Sequence, residues 1–209
     1  MEGAIRDLIQ NKLAEGIAVL QAVSADSELL SVLKEAAEKT ASALKSGRKL
    51  MAAGNGGSAA DAQHLVAEFV SRLCDDRPPM RAIALTTNSS ILTAVGNDYG
   101  FERLFSRQIE ALGQAGDIFM AISTSGTSPN VLRALEISKQ MGIVTIGLCG
   151  TGGSMAPLCD YCIRIPSTVT MYIQQAHLAL EHIFCMIVEQ NYFGPDLLAA
   201  RGNVAPQQD

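Results

Sequence analysis

Five short apolar runs, at residues 49–53, 82–86, 118–123, 144–149 and 161–165, punctuate the chain, and helix-length segments separate most of them. Mostly apolar runs of this length suit strands buried on both faces of a parallel sheet, whereas half-exposed strands alternate with polar residues. The pattern predicts an α/β fold in which helices flank a five-stranded parallel sheet. Ahead of the first run, residues 4–23 carry Ile5, Leu8, Ile9, Leu13 and Ile17 at helical spacing, and residues 28–45 carry Leu29, Leu30, Leu33, Ala37 and Leu44. Two leading helices follow, within about residues 1–45, and their apolar faces must be buried somewhere. A last long helix is predicted over 170–191. At 209 residues and 48% hydrophobic content the chain can bury the core of one domain, assigned to 1–193. Residues 194–209, with two prolines and a polar end, read as a loosely ordered tail.

Ligands of open parallel sheets sit beyond the carboxyl ends of the strands. Two loops at such ends stand out, Gly54-Asn55-Gly56-Gly57-Ser58 and Ser123-Thr124-Ser125-Gly126-Thr127-Ser128. A helix N-terminus offers unpaired N–H groups and partial positive charge, so an anion there satisfies donors and dipole together, and glycine lets the backbone come close. Ser128 is placed as an N-cap with Pro129 at the first helical position, leaving the other hydroxyls free to donate to phosphate oxygens. Neither loop fits G-x-G-x-x-G or G-x-x-x-x-G-K-[ST], so nicotinamide and nucleoside triphosphate chemistry lose support. An ordinary strand-to-helix turn would explain either loop alone; the two together point to phosphate.

The first loop runs into a helix on which His64 and Glu68, four residues apart, lie about 40° apart on one face. A phosphate loop feeding an acid/base pair suggests sugar-phosphate chemistry. In the last helix Gln174, His177, Glu181 and His182 interrupt an apolar sequence. A lone histidine on such a helix reads as a hydrogen-bonded packing residue, and His177 is assigned that role.

A net charge of −5 with no Lys/Arg cluster argues against a nucleic-acid surface, although backbone amides can still make a local site for a small phosphate ester. With no run of 18 apolar residues and a charged, helix-like N-terminus, neither a membrane span nor a signal peptide is expected, and the cytoplasm is the default location. The five cysteines, odd in number and unevenly spaced, suit reduced thiols. Cys159-x-x-Cys162 could be half of a zinc knuckle or a redox pair, but with no second pair and an apolar run following, core thiols are the favoured reading.

The first loop with His64 and Glu68, Gly96-Asn97-Asp98, the 123–128 loop, and Gln174 with His182 together resemble the phosphoheptose isomerases of the sugar isomerase (SIS) fold, in order and without large gaps over residues 1–193. The resemblance implies a three-layer α/β sandwich and interconversion of sedoheptulose 7-phosphate and D-glycero-D-manno-heptose 7-phosphate through an enediol, the first step toward activated heptose for lipopolysaccharide or other surface polysaccharide. By similarity Glu68 is the base and His182 the acid. The resemblance also implies one zinc ion per subunit on His64, Glu68, Gln174 and His182. It places phosphate on Ser123, Thr124, Ser125 and Ser128, and sugar hydroxyls near Asn55, Gly56, Gly57, Ser58, Glu68, Asn97, Asp98 and Gln174. Asn97-Asp98 could otherwise be a loop dipeptide. A homotetramer is implied, with the N-terminal helices in its interface and sites completed across subunits. One departure is visible: many family members carry Arg-Ile-Gln-Glu where this chain has Tyr172-Ile173-Gln174-Gln175. The competing reading is a non-catalytic SIS-domain regulator that binds the replication initiator protein, or a sugar-phosphate sensor. That regulator lacks a carboxylate at the position of Glu68, which this chain retains.

Overall fold

Alternate residues of the central strands supply two cores, one on each face of a single sheet. The computed structural model describes residues 2–74 and 76–194; of the tail assigned to 194–209, all but Gly194 lies outside them. Helices α1 (Glu2–Ala25) and α2 (Ser27–Lys45) precede β1 (Leu50–Gly54) and α3 (Gly57–Val70). Then come β2 (Ala82–Ala84), α4 (Ser89–Tyr99), α5 (Ser106–Leu112), β3 (Ile118–Ser123) and α6 (Pro129–Gln140). The chain continues through β4 (Val144–Cys149), β5 (Tyr161–Arg164) and α7 (Thr170–Phe193). All strand pairs are parallel, in the order β2-β1-β3-β4-β5. Leu50, Ala52, Ile118, Met120, Ile122, Ile146 and Leu148 face α2, α3 and α7; Met51, Ala53, Phe119, Ala121 and Cys149 face α4, α5 and α6. These are the three layers expected.

Burial on both faces holds for β1 and β3, which are buried throughout, and nearly for β4. It fails at the edges: β2 is only Ala82–Ala84, with Ile83 exposed, and β5 stops at Arg164. An edge strand has a neighbour on one side only, so its ladder and its cover both thin out. The last helix runs to Phe193 rather than 191.

The break between the leading helices has a local cause. Asp26 caps α2, its carboxylate accepting from the backbone N–H groups of Glu28 and Leu29. The two axes meet at 74°, and no single helix among the described residues is long and apolar enough to cross a membrane.

In this strand order the direction of winding reverses between β1 and β3, so the loops leaving those two strands open a crevice. Both Gly/Ser loops lie there.

Candidate active site

Gly56, at φ +58°, caps α3, and Gly126, at φ +65°, turns the second loop; both sit in the left-handed region that favours glycine. The loops are tied together by a reciprocal amide pair. Asn55 Nδ2 donates to Asn130 Oδ1 at 2.8 Å, and Asn130 Nδ2 donates to Asn55 Oδ1 at 2.9 Å. Asn130 is buried at the head of α6 and was missed by sequence reasoning, because an Asn one residue after Pro129 carries no signal until the fold brings it to Asn55.

Ser128 does occupy the N-cap of α6, with Pro129 opening the helix, but its hydroxyl makes no capping bond. It lies 3.0 Å from the Ser123 hydroxyl, which also accepts from the Gly126 N–H at 3.2 Å. Ser125 Oγ accepts from the N–H and the hydroxyl of Thr127. The hydroxyls expected to be free are thus partly engaged with one another, which presets the loop. Thr124 is half-buried beside them, and its carbonyl accepts from Gly150 N–H.

His64 and Glu68 lie on the side of α3 that meets α7, where His182 reaches them. The Nε2 atoms of His64 and His182 are 2.8 Å apart, with rings edge to face, and His64 Nε2 is 3.4 Å from Glu68 Oε1. One donor atom from each of the three residues falls within 4.8 Å of the others, and all three side chains keep some exposure. Two imidazole nitrogens and a carboxylate oxygen so placed can pass protons to a bound molecule or hold a cation.

Gln174 is placed differently. Its amide nitrogen lies against Gly57, where a Cβ would sit 2.2 Å away, so a side chain at 57 would displace the Gln174 amide from this position. α3 and α7 run side by side in the same sense, Gly57 meeting Gln174 and His64 meeting His182. Gln174 and His182 are eight residues apart, ~12 Å along the helix axis. Ser58 is buried beneath the first loop. Asn97 and Asp98 are in the last turn of α4, not in a loop; both are exposed, and Asn97 Nδ2 donates to Asp98 Oδ1 at 2.7 Å. No hydrogen bond among the described residues joins them to either Gly/Ser loop.

The SIS domain family matches residues 13–150. Phosphoheptose isomerase of Aneurinibacillus thermoaerophilus is 52% identical over 190 residues, 90% of this chain and 96% of that protein. The chain belongs to the phosphoheptose isomerases of the SIS domain family. Phosphoheptose isomerase 2 of Campylobacter jejuni is also 52% identical, over 91% of this chain and 95% of that one. In structure, the phosphoheptose isomerase of Neisseria gonorrhoeae matches with a TM-score of 0.83 at 38% identity, covering 89% of this chain and 99% of that one.

Against the Arg-Ile-Gln-Glu common in this family, Tyr172 and Gln175 now have a local role. Tyr172 Oη donates to Glu15 Oε2 on α1, Glu15 also pairs with Lys12, and Gln175 fills the space above Gly16. A neutral clamp to α1 stands where the family pattern has charges.

His177 is fully buried, as packing requires, yet neither ring nitrogen has a hydrogen-bond partner among the described residues. The expectation of a hydrogen-bonded histidine is corrected. Burial pushes its pKa down to about 4, and the Cys149 main chain beside it opposes this without reaching hydrogen-bond geometry. Glu181 is also sealed and unpartnered; burial, then Asp61 on α3, raises its pKa to about 8. Cys159 and Cys162 are half-buried rather than buried, and Cys162 Sγ is 3.8 Å from Cys149 Sγ; all five thiols are free.

Proposed function

We propose that this chain is an aldose-ketose isomerase that converts D-sedoheptulose 7-phosphate to D-glycero-D-manno-heptose 7-phosphate in heptose biosynthesis. The observation that carries the chemistry is the convergence of Glu68, His64 and His182 on the seam whose far end leads to the two Gly/Ser loops. An open-chain heptose phosphate has its carbonyl and its ester at opposite ends, which suits proton-transfer groups and oxyanion-holding loops set apart on one seam. Glu68 takes a proton from C1 of the ketose while His182 gives one to the C2 oxygen, forming the 1,2-enediol. Return of the carbon-bound proton to C2 and loss of the O1 proton leave the aldose. Ser123, Thr124, Ser125 and Ser128 receive the phosphate; Asn55, Gly56, Gly57 and Gln174 face the sugar, with Ser58, Asn97 and Asp98 assigned to it by family pattern.

The donor set fits zinc: His64, Glu68 and His182 would hold the ion, whereas Gln174, which the family pattern adds, rests against Gly57, ~12 Å along α7 from His182, and is not gathered with them. When bound, zinc supplies Lewis acidity toward substrate oxygens. The catalytic reading is favoured over a regulator because Glu68 is present beside both histidines.

A homotetramer is part of the proposal. Ile5, Leu8, Ile9, Leu13 and Ile17 form one stripe of α1, each more than half exposed, and Met171, Leu178, Ile183 and Met186 are exposed on α7. An apolar area of this kind marks a protein interface. The free thiols suit a reducing compartment, the cytoplasm, and the heptose would serve lipopolysaccharide or another surface polysaccharide.

The test is NMR of sedoheptulose 7-phosphate with the protein in D2O, before and after chelation. Aldose formation with deuterium entry at the exchanging carbon supports the enediol route, and loss on chelation with recovery on added zinc supports the metal. Bound but unconverted substrate would overturn the catalytic reading in favour of a sensor or regulator.

A further inference from the structure

Arg77 lies outside the proton-transfer cluster, yet its guanidinium closes the end of the helix that carries Glu68. The last carbonyls of a helix have no donor within it, and α3 ends at Val70. Arg77 Nη2 donates to the carbonyl of Glu68 itself, and Nη1 donates to the carbonyls of Phe69 at 2.8 Å, Pro78 at 3.2 Å and Ser71 at 3.4 Å. Its Nε donates to Glu189 Oε1 at 2.6 Å, and both residues are buried. Glu189 follows His182 on α7 by seven residues, nearly two turns, and so stands within about 20° of the same face. One planar fork therefore fastens the Glu68 turn of α3 to the helix bearing His182, a task for which a lysine ammonium has the charge but not the fork. Burial, and after it the carboxylates of Glu181, Glu68 and Glu189, push the Cys185 thiol up, with Arg77 opposing.

We propose that Arg77 and Glu189 are a positioning pair for proton transfer, fixing the backbone of Glu68 at the register on α7 that sets its carboxylate beside His64 and His182. The pair leaves the phosphate end of the seam alone, since its contacts are all at the opposite end of α3. This inference rests on the isomerase reading above.

The test uses Arg77→Lys and Glu189→Gln, full chain, assayed well below their unfolding midpoints. Displacing reacting groups by an ångström costs on the order of 10²-fold, so kcat of Arg77→Lys is expected to fall about 10- to 100-fold with KM for sedoheptulose 7-phosphate within about twofold. Glu189→Gln keeps an acceptor for Nε and should lose less. The chain has only three histidines, so imidazole NMR gives a readout apart from turnover: the His64 and His182 resonances should move and that of buried His177 should stay. Wild-type kcat with unmoved His64 and His182 resonances overturns the proposal, as does a kcat loss accompanied by equal movement of all three imidazoles. If Arg77→Lys does not fold, Glu189→Gln decides by the same criteria. Should the wild-type protein fail to turn over the sugar, the isomerase reading falls and the imidazole comparison alone decides the positioning claim.

Discussion

Two polar sets share the interface of α3 and α7 and are treated in opposite ways. His64, Glu68 and His182 keep exposure and lie within reach of one another. Asp61 Oδ2, His177 and Glu181, on the same two helices, are buried without hydrogen-bond partners among the described residues. Glu181 and His182 are neighbours in the chain, but successive residues on a helix point 100° apart, which sends one into the core and the other to the seam. The difference teaches that polar residue type on a core helix does not mark a site: contact with solvent and with other ionisable groups does. The exposed set can meet a substrate, whereas burial holds His177 and Glu181 neutral, which lowers stability where the unfolded chain would be charged.

The largest test of this contrast is Glu68→Gln. With Glu68 as the proposed base, its replacement should lower kcat by about 10²- to 10⁴-fold with KM little changed, followed by deuterium incorporation in D2O. Near-normal turnover would dissolve the distinction between the two sets.

Next comes pH. His177 has a folded pKa of about 4 against 6.5 unfolded, so below 6.5 the unfolded chain binds the extra proton and stability falls as pH drops toward 4. Glu181 has the opposite sign: its folded pKa of about 8 against 4.5 means the unfolded chain ionises first, and stability falls as pH rises from 4.5 to 8. At the end of its window the cost to stability is on the order of 3 kcal/mol for His177 and on the order of 5 kcal/mol for Glu181. Glu181→Gln should flatten the alkaline limb in denaturant titrations run from pH 5 to 8, and His177→Asn the acid limb from pH 7 to 4. An unchanged limb in either variant would mean that the group is not sealed.

Ser128→Ala tests the phosphate end of the seam. A hydroxyl bonded to a charged oxygen contributes ~2 kcal/mol, so KM should rise roughly 10- to 30-fold with kcat nearly kept. A kcat loss as large as that of Glu68→Gln would show that the two ends are not separable. The smallest effect belongs to Tyr172→Phe. It removes the bond to a half-exposed Glu15, so the unfolding midpoint should barely shift and kcat should hold. A large kcat loss would make the α1 clamp part of the site.

Much of the architecture was legible in the chain. The apolar runs at 118–123 and 144–149 coincide with β3 and β4, because central parallel strands need both faces apolar. The run at 82–86 overstated β2, since an edge strand ends where its ladder does, whatever its composition. For the site, a spacing of four identified His64 with Glu68, a purely local fact. Asn130 beside Asn55 was not legible, because the pair meets across 75 residues of chain. Arg77 on the Glu68 carbonyl and the Cys149–Cys162 approach span only 9 and 13 residues, but each depends on how the chain between them turns back, which residue spacing does not encode.

By itself, then, the sequence determined what periodicity and local chemistry can encode: a parallel α/β sheet, two Gly/Ser loops at strand ends and an acid/base pair on one helix face. The family resemblance groups His182 with that pair; the tertiary structure supplied the contact itself, and only it decided that the neighbouring Glu181 is sealed away and that Gln174 rests on Gly57. Burial and contact depend on which helix faces meet, and α3 meets α7 from more than a hundred residues away in the chain.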